Sequence, residues 1–216
     1  MSKEEMPILK EILKKIHISK DQFKKAGEVI GRINMLKVKT RYTKGGDWTA
    51  LSLFGYGKKP TDILKPGVLK SSKVSSDLVW TSLADLKELK PLVDFVTDLP
   101  CAVERVRFMK LRANKIIGRH TDKIDKELGY GLGKIVRLHL PIVSNAKVVF
   151  SVFKSTRDKE GITDSLKVGS LYYLDATKPH AVSNFSDQDR IHLVIDCYLN
   201  EELKGILENN DRAWQS

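Results

Sequence analysis

The 216-residue chain is poor in cysteine and has no long hydrophobic run. Its two cysteines, Cys101 and Cys197, sit in apolar surroundings without metal-ligand spacing or a disulfide framework, which fits packing roles in a reducing compartment. The longest apolar stretches, such as LHLPIV at 138–143, are only strand-sized, and the amino-terminal MSKEEMPILKEILKKI mixes acids with lysines. The sequence therefore predicts neither a membrane span nor a signal peptide, and a cytoplasmic protein with no membrane partner. No zinc-finger, RNP or basic-zipper pattern accompanies the formal charge of +11. Residues 1–100 hold 19 basic and 12 acidic residues, and residues 101–216 hold 19 and 15, so the excess is spread along the chain. Lysines on solvated helix faces, together with attraction to small anions, account for that charge better than nucleic-acid binding does. Internal repeats are absent as well, which excludes a solenoid.

What is present suffices for one domain spanning 1–216, since 41% of the residues are hydrophobic. The period of the apolar residues divides it into a helical lead-in with substrate-side elements (1–100), a strand-rich core (101–200) and a closing helix (201–216). PILKEILKKI places Ile8, Ile12, Leu13 and Ile16 at helical spacing, and KDQFKKAGEVIGRI repeats the pattern with Phe23, Val29, Ile30 and Ile33. Loop signals flank a short strand over 48–54. SLADLKELKPLVDFV reads as a further helix, with Ser82 as its N-cap and Pro91 at a break or a second helical start. From Val103 the period becomes that of strands: VERVRFMKL, GKIVRLHLPI, KVVFSVF, SLYYLDA and RIHLVIDCYL. Many short strands without long intervening helices favour an antiparallel sandwich or barrel.

GRHTDK at 118–123 sets His120 and Asp122 two apart in a chain with five histidines. Such a triplet arises by accident in roughly half of chains of this composition, so it needs partners elsewhere. Alternation in GKIVRLHLPI turns Arg137 and His139 to one face and Val136, Leu138 and Leu140 to the other, which implies that both faces are covered. Two basic side chains turned inward need anionic partners. Arg190, at the head of an otherwise apolar strand, asks for a bidentate acid. Two histidines, an aspartate and a distal arginine are the parts of a non-haem iron oxygenase, in which two His and one carboxylate occupy one face of Fe(II).

The order of these elements carries a more specific likeness. H-x-D at 120–122, then R-x-H-x-P-I-V-S-N from Arg137, then His180, and D-R-I-H-L-V-I-D from Asp189 resemble the aspartyl/asparaginyl β-hydroxylase family of Fe(II)/2-oxoglutarate dioxygenases, which is similar also to bacterial proline cis-4-hydroxylases. The likeness covers about 103–203. It implies a mainly β fold with flanking helices, built on a double-stranded β-helix (jelly roll, cupin-like) core. It also implies His120, Asp122 and His180 as iron ligands, Arg190 on the distal carboxylate of 2-oxoglutarate, and Arg137 and His139 near the other end of that co-substrate. O2 and 2-oxoglutarate would be consumed, with release of succinate and carbon dioxide, as a C–H bond of an amino-acid-type substrate, Asp- or Asn-like and free or in a peptide, is hydroxylated.

Substrate selection then falls to Arg107, which suits a substrate carboxylate and is otherwise a salt-bridged arginine, and to Trp48, which walls the pocket or is simply core. Asp125 is a rival carboxylate. His139 is a rival ligand, and His192 either lines the pocket or packs. The chain retains the aspartate ligand that certain animal members lack, has Ala113-Asn114 where Pro-Gly is usual, and carries Met109 where the animal enzymes have a small hydroxyl residue. It also stops soon after one helix, which argues against free proline as substrate. The same chemistry on another small molecule, and a cupin-like module that binds metal or an organic acid without turnover, are the competing readings.

Overall fold

The computed structural model describes residues 8–14, 16–43, 46–63, 77–122 and 135–208. Among them, twelve strands form two sheets. The strands are β1 (Leu9–Leu13), β2 (Leu36–Lys37), β3 (Trp48–Tyr56), β4 (Leu78–Trp80), β5 (Val103–Leu111), β6 (Lys115–His120), β7 (Ile135–Val143), β8 (Val148–Val152), β9 (Ile162–Asp164), β10 (Leu171–Leu174), β11 (His180–Asn184) and β12 (Arg190–Tyr198). The helices are α1 (Lys20–Arg32), α2 (Lys90–Thr97) and α3 (Glu201–Glu208). The larger sheet runs β1-β10-β7-β12-β5-β3-β2, with β4 on β3, and the smaller runs β6-β11-β8-β9. Every pairing is antiparallel. The two facing sheets are the antiparallel sandwich expected from the strand pattern and form the jelly-roll core that the family resemblance implied.

The larger sheet is covered on both faces. Its outer face buries Leu53, Val106, Phe108, Val136, Leu138, Leu140, Leu193 and Ile195 beneath Phe23 and Ile30 of α1 and Leu92 and Val96 of α2. Because α1 crosses β7 closely, a Cβ added at Gly27 would lie 2.6 Å from Val143 Cγ2. Its inner face, offset by one residue along each strand, carries Arg105, Arg107 and Met109 of β5, Arg137 and His139 of β7, and Arg190, His192, Val194 and Asp196 of β12. That alternation explains why β7 and β12 are buried almost throughout: one set of side chains enters the helix-covered core and the other faces the smaller sheet.

Two sequence expectations change. PILKEILKKI does not form a helix over its described part. Leu9–Leu13 is β1, pairing Leu9 with Leu174 and Leu13 with Leu171 and burying Ile12 and Leu13. Docking on the open edge of β10 outweighs helical spacing in a segment this short. The front of the chain is consequently less helical than expected, since β1 to β4 all join the larger sheet. SLADLKELKPLVDFV is not one helix either: a 3₁₀ turn at Ser82–Asp85 is followed by α2, with Pro91 in its first turn. Ser82 is not an N-cap; Thr81 holds that position and gives its hydroxyl to the carbonyls of Ser52 and Leu53 instead. Of the closing helix, 201–208 is seen as α3, and 209–216 lie outside the described residues.

Candidate functional site

The smaller sheet brings three metal-binding groups together. His120 ends β6, His180 begins β11, and the two are direct cross-strand partners, with ring centroids 4.3 Å apart. Asp122 follows β6, fixed by its backbone N–H donating to Ala176 O at 3.0 Å, and its Oδ1 lies 3.7 Å from His120 Nε2. One ligand atom from each of the three can be chosen so that all lie within 4.8 Å of one another. Both imidazoles are oriented so that they could hold a metal. Nδ1 of His120 donates to Gly118 O at 2.8 Å and Nδ1 of His180 to Lys178 O at 2.9 Å. A carbonyl can only accept, so these Nδ1 atoms carry the protons and the Nε2 lone pairs are left for a cation. Tyr42 stacks on His120 at 4.9 Å, which fixes that ring further. Burial lowers the pKa of His180, favouring the neutral, ligating form. Burial opposes ionisation of Asp122, yet nearby positive charge, Arg137 foremost, outweighs it and holds its carboxyl below the usual range. Asp125 lies outside the described residues.

Across from these ligands, the inner face of the larger sheet is a grid of arginines. Asp196 pairs in register with Arg105 on β5 and with Arg137 on β7. It accepts Arg137 Nε at 2.7 Å on Oδ1, and on Oδ2 it accepts Nη2 of Arg137 at 3.0 Å, of Arg105 at 2.9 Å and of Arg107 at 2.8 Å. Burial would raise its pKa, but the three guanidiniums hold it far below the ordinary carboxylate value. Arg137 also reaches Asp122 through Nη1, so one guanidinium joins the buried acid to the candidate metal ligand. Arg107 lines the cavity in the next row, opposite Val194, and burial pulls it down to about 10, leaving it cationic.

Arg190 differs from these three. It is buried, its Nε has no hydrogen-bond partner, its guanidinium lies 5.0 Å from the Phe150 ring centre, and no carboxylate among the described residues is within ion-pair reach. Burial alone lowers its pKa to about 9, so it remains a cation near neutrality. His139 and His192 stand beside it with both ring nitrogens unbonded, and burial first, then Arg190, holds both well below the usual imidazole value. An unpaired buried cation flanked by neutral imidazoles is a receptor for an anion.

The cavity between the sheets measures about 500 Å3 and is lined by His120, Asp122, His180, Arg137, His139, Arg190, Arg107, Trp48 and Met109 together with apolar neighbours. Each residue expected from the sequence to act at the site therefore lines one space. Sequence reasoning misses Asp196, although it shares strand parity with Arg190 and His192 and is an acid in an otherwise apolar run. Asn114, in place of the usual glycine, takes a left-handed backbone (φ 55°), which asparagine tolerates. Cys197 is buried and Cys101 half-buried, and neither is near the ligands.

A jelly roll that presents two histidines and an aspartate to a cavity holding an unpaired arginine defines a non-haem iron, 2-oxoglutarate-dependent oxygenase. The chain belongs to the aspartyl/asparaginyl β-hydroxylase family, whose model matches residues 8–199. Among solved structures, the chain is similar to the non-haem α-ketoglutarate-dependent epimerase SnoN from nogalamycin biosynthesis (TM-score 0.50, 11% identity, 88% of this chain and 78% of that one). It also matches a 2OG-Fe(II) oxygenase family oxidoreductase from Burkholderia pseudomallei (TM-score 0.46, 11% identity, 81% and 78%). Among the described residues no helix is long and apolar enough to cross a membrane.

Proposed function

We propose that the chain hydroxylates an unactivated C–H bond of an amino-acid-type substrate, free or in a peptide, whose carboxylate is held at Arg107. His120, Asp122 and His180 would hold Fe(II). Arg190 would bind the distal carboxylate of 2-oxoglutarate, with His139 and Arg137 toward its other end. When bound, the iron and co-substrate supply oxidation by O2, with release of succinate and carbon dioxide. The protein's part is placement: Nδ1–H bonds fix the two imidazoles, Arg137 fixes the aspartate, and the sheets exclude bulk water.

The single observation behind an anionic substrate is that Arg107, which shares Asp196 with Arg105 and Arg137, also lines the cavity. The other acids beside this group are already engaged: Glu104 stands 3.7 Å from Arg105 Nε, and Asp122 is paired with Arg137 and would be committed to metal. Arg107 is the member of this group with an unbonded Nε that also faces the cavity, which leaves it able to meet a further carboxylate. It is also distant from the co-substrate arginine. Arg190 lies four residues along β12 from Val194, the cross-strand partner of Arg107, or roughly 13 Å at the rise of a strand. Two carboxylate subsites that far apart suit two different acids. Trp48 stands near His120, with centroids 6.1 Å apart, and walls the metal side.

The test is anaerobic titration with Fe(II) and 2-oxoglutarate, followed by a screen of amino acids and peptides for succinate formed above the uncoupled background. Stimulation by compounds with a free carboxylate is expected. Stimulation by neutral compounds alone would sink the carboxylate assignment, and metal binding without any 2-oxoglutarate decay would favour a binding module instead.

A further inference from the structure

We infer that the part of the substrate beyond its carboxylate is apolar, an aliphatic or aromatic body rather than the short polar side chain of aspartate or asparagine. The inference rests on the proposed role of Arg107 and deepens it.

One wall of the cavity is a hydrophobic cluster separate from the main core. Ala50, Met109 and Val194 form it, and Val38, Trp48 and Ile63 pack against them. All six line the cavity. In register, Ala50 faces Met109 across β3 and β5, and Val194 faces Arg107 across β12 and β5. Arg107 is thus bordered by Val194 on one side and by Met109 two residues along its own strand. The geometry is that of an amphiphile's receptor, a cation at the edge of a continuous apolar patch. Trp48 contributes its ring, with Nε1 buried and unbonded.

Size points the same way. At no more than the ~30 Å3 per molecule of liquid water, the roughly ten non-hydrogen atoms of 2-oxoglutarate need under about 300 Å3. The cavity offers about 500 Å3, and the co-substrate end lies at Arg190 and Phe150. The wall of the space left carries Val38, Ala50, Ile63, Met109 and Val194, with exposed Lys37 and Lys39 and the unbonded Trp48 Nε1 elsewhere in the lining. A polar side chain placed there would lose its water and find no partner among those five, whereas each methylene buried there is favourable.

The experiment titrates straight-chain 2-amino acids, from alanine through 2-aminobutyrate, norvaline and norleucine to 2-aminoheptanoate, into the protein loaded anaerobically with Mn(II) and 2-oxoglutarate. Binding is read calorimetrically, without turnover. Affinity should rise about fourfold per added methylene until the wall is filled, and norvaline should bind at least tenfold tighter than aspartate or asparagine. Val38→Asn, at a half-buried position just after β2, should flatten the rise. Val194→Asn should do so more strongly if it folds. A series that is flat, falling or without binding, or aspartate matching norvaline, overturns the inference. The corresponding 2-amino alcohols separate the two proposals: if they bind as tightly as the acids with the same rise per methylene, the carboxylate assignment at Arg107 fails while the apolar wall stands.

Discussion

Arg137 and Asp196 face each other across the β7–β12 pair and meet side-on, Nε to Oδ1 at 2.7 Å and Nη2 to Oδ2 at 3.0 Å. This two-point contact leaves Nη1 of Arg137 aimed at Asp122. A planar guanidinium held along one edge has a fixed direction along the other, which lysine could not provide. Asp196 therefore acts at a distance: it orients Arg137, and Arg137 orients the carboxylate that would complete the metal site.

Removing the charge at Asp196 tests this chain. In Asp196→Asn three buried guanidiniums lose their shared acid, and the expected loss of stability is about 3–5 kcal/mol, measured by urea unfolding at pH 7. The pH dependence has a definite sign. The folded-state pKa of Asp196 is depressed, so its contribution is fully present above the unfolded-state value of about 3.9 and is lost as pH falls below that toward the folded value. The wild-type protein should thus lose stability on acidification through this range more steeply than the variant. Equal slopes would mean that Asp196 is not the dominant ionised anchor.

A second test concerns the metal. His180→Ala removes one of the three proposed ligands and would leave an incomplete shell, so Fe(II)-dependent 2-oxoglutarate turnover should vanish and Mn(II) affinity should fall, while the far-UV circular dichroism stays that of the parent. Undiminished turnover would exclude His180 as a ligand.

The core strands are legible in the sequence because alternation is a short-range signal, whereas the candidate ligand set rests on the family resemblance. Alternation in β7 separated Arg137 and His139 from Val136, Leu138 and Leu140, and the structure divides them in the same way between cavity and core. What was illegible depended on tertiary pairing. Ile8, Ile12, Leu13 and Ile16 have helical spacing, and only the exposed edge of β10 makes that segment a strand. Arg137 could be read as needing an anion, but its anions prove to be protein side chains, Asp196 and Asp122. Arg190, read in the same way, has no acid among the described residues and remains a receptor. Nothing local to either arginine distinguishes the two cases; the register of β12 against β7 does.

That difference sets the expectation for Arg190. Arg190→Met keeps the length and apolar stem but removes the cation, so 2-oxoglutarate binding should weaken by about 1.5–3 kcal/mol, read by anaerobic titration. Metal affinity without co-substrate should change little, since Arg190 touches no ligand. Parallel loss of both affinities would assign Arg190 to the fold.

Arg107 separates substrate binding from the oxidative machinery. Unlike Arg137 it reaches no metal ligand, and Arg107→Gln leaves Asp196 still bonded to Arg105 and Arg137. The site should therefore remain assembled, and 2-oxoglutarate decay in the absence of substrate should stay near the wild-type rate. Loss of a charge-assisted contact to the substrate carboxylate should lower kcat/KM roughly 10-fold to 100-fold, with the substrate analogue that lacks a carboxylate unaffected by the change. A fall in uncoupled decay as large as the fall in kcat/KM would place Arg107 in the support of the metal site and remove it from substrate recognition.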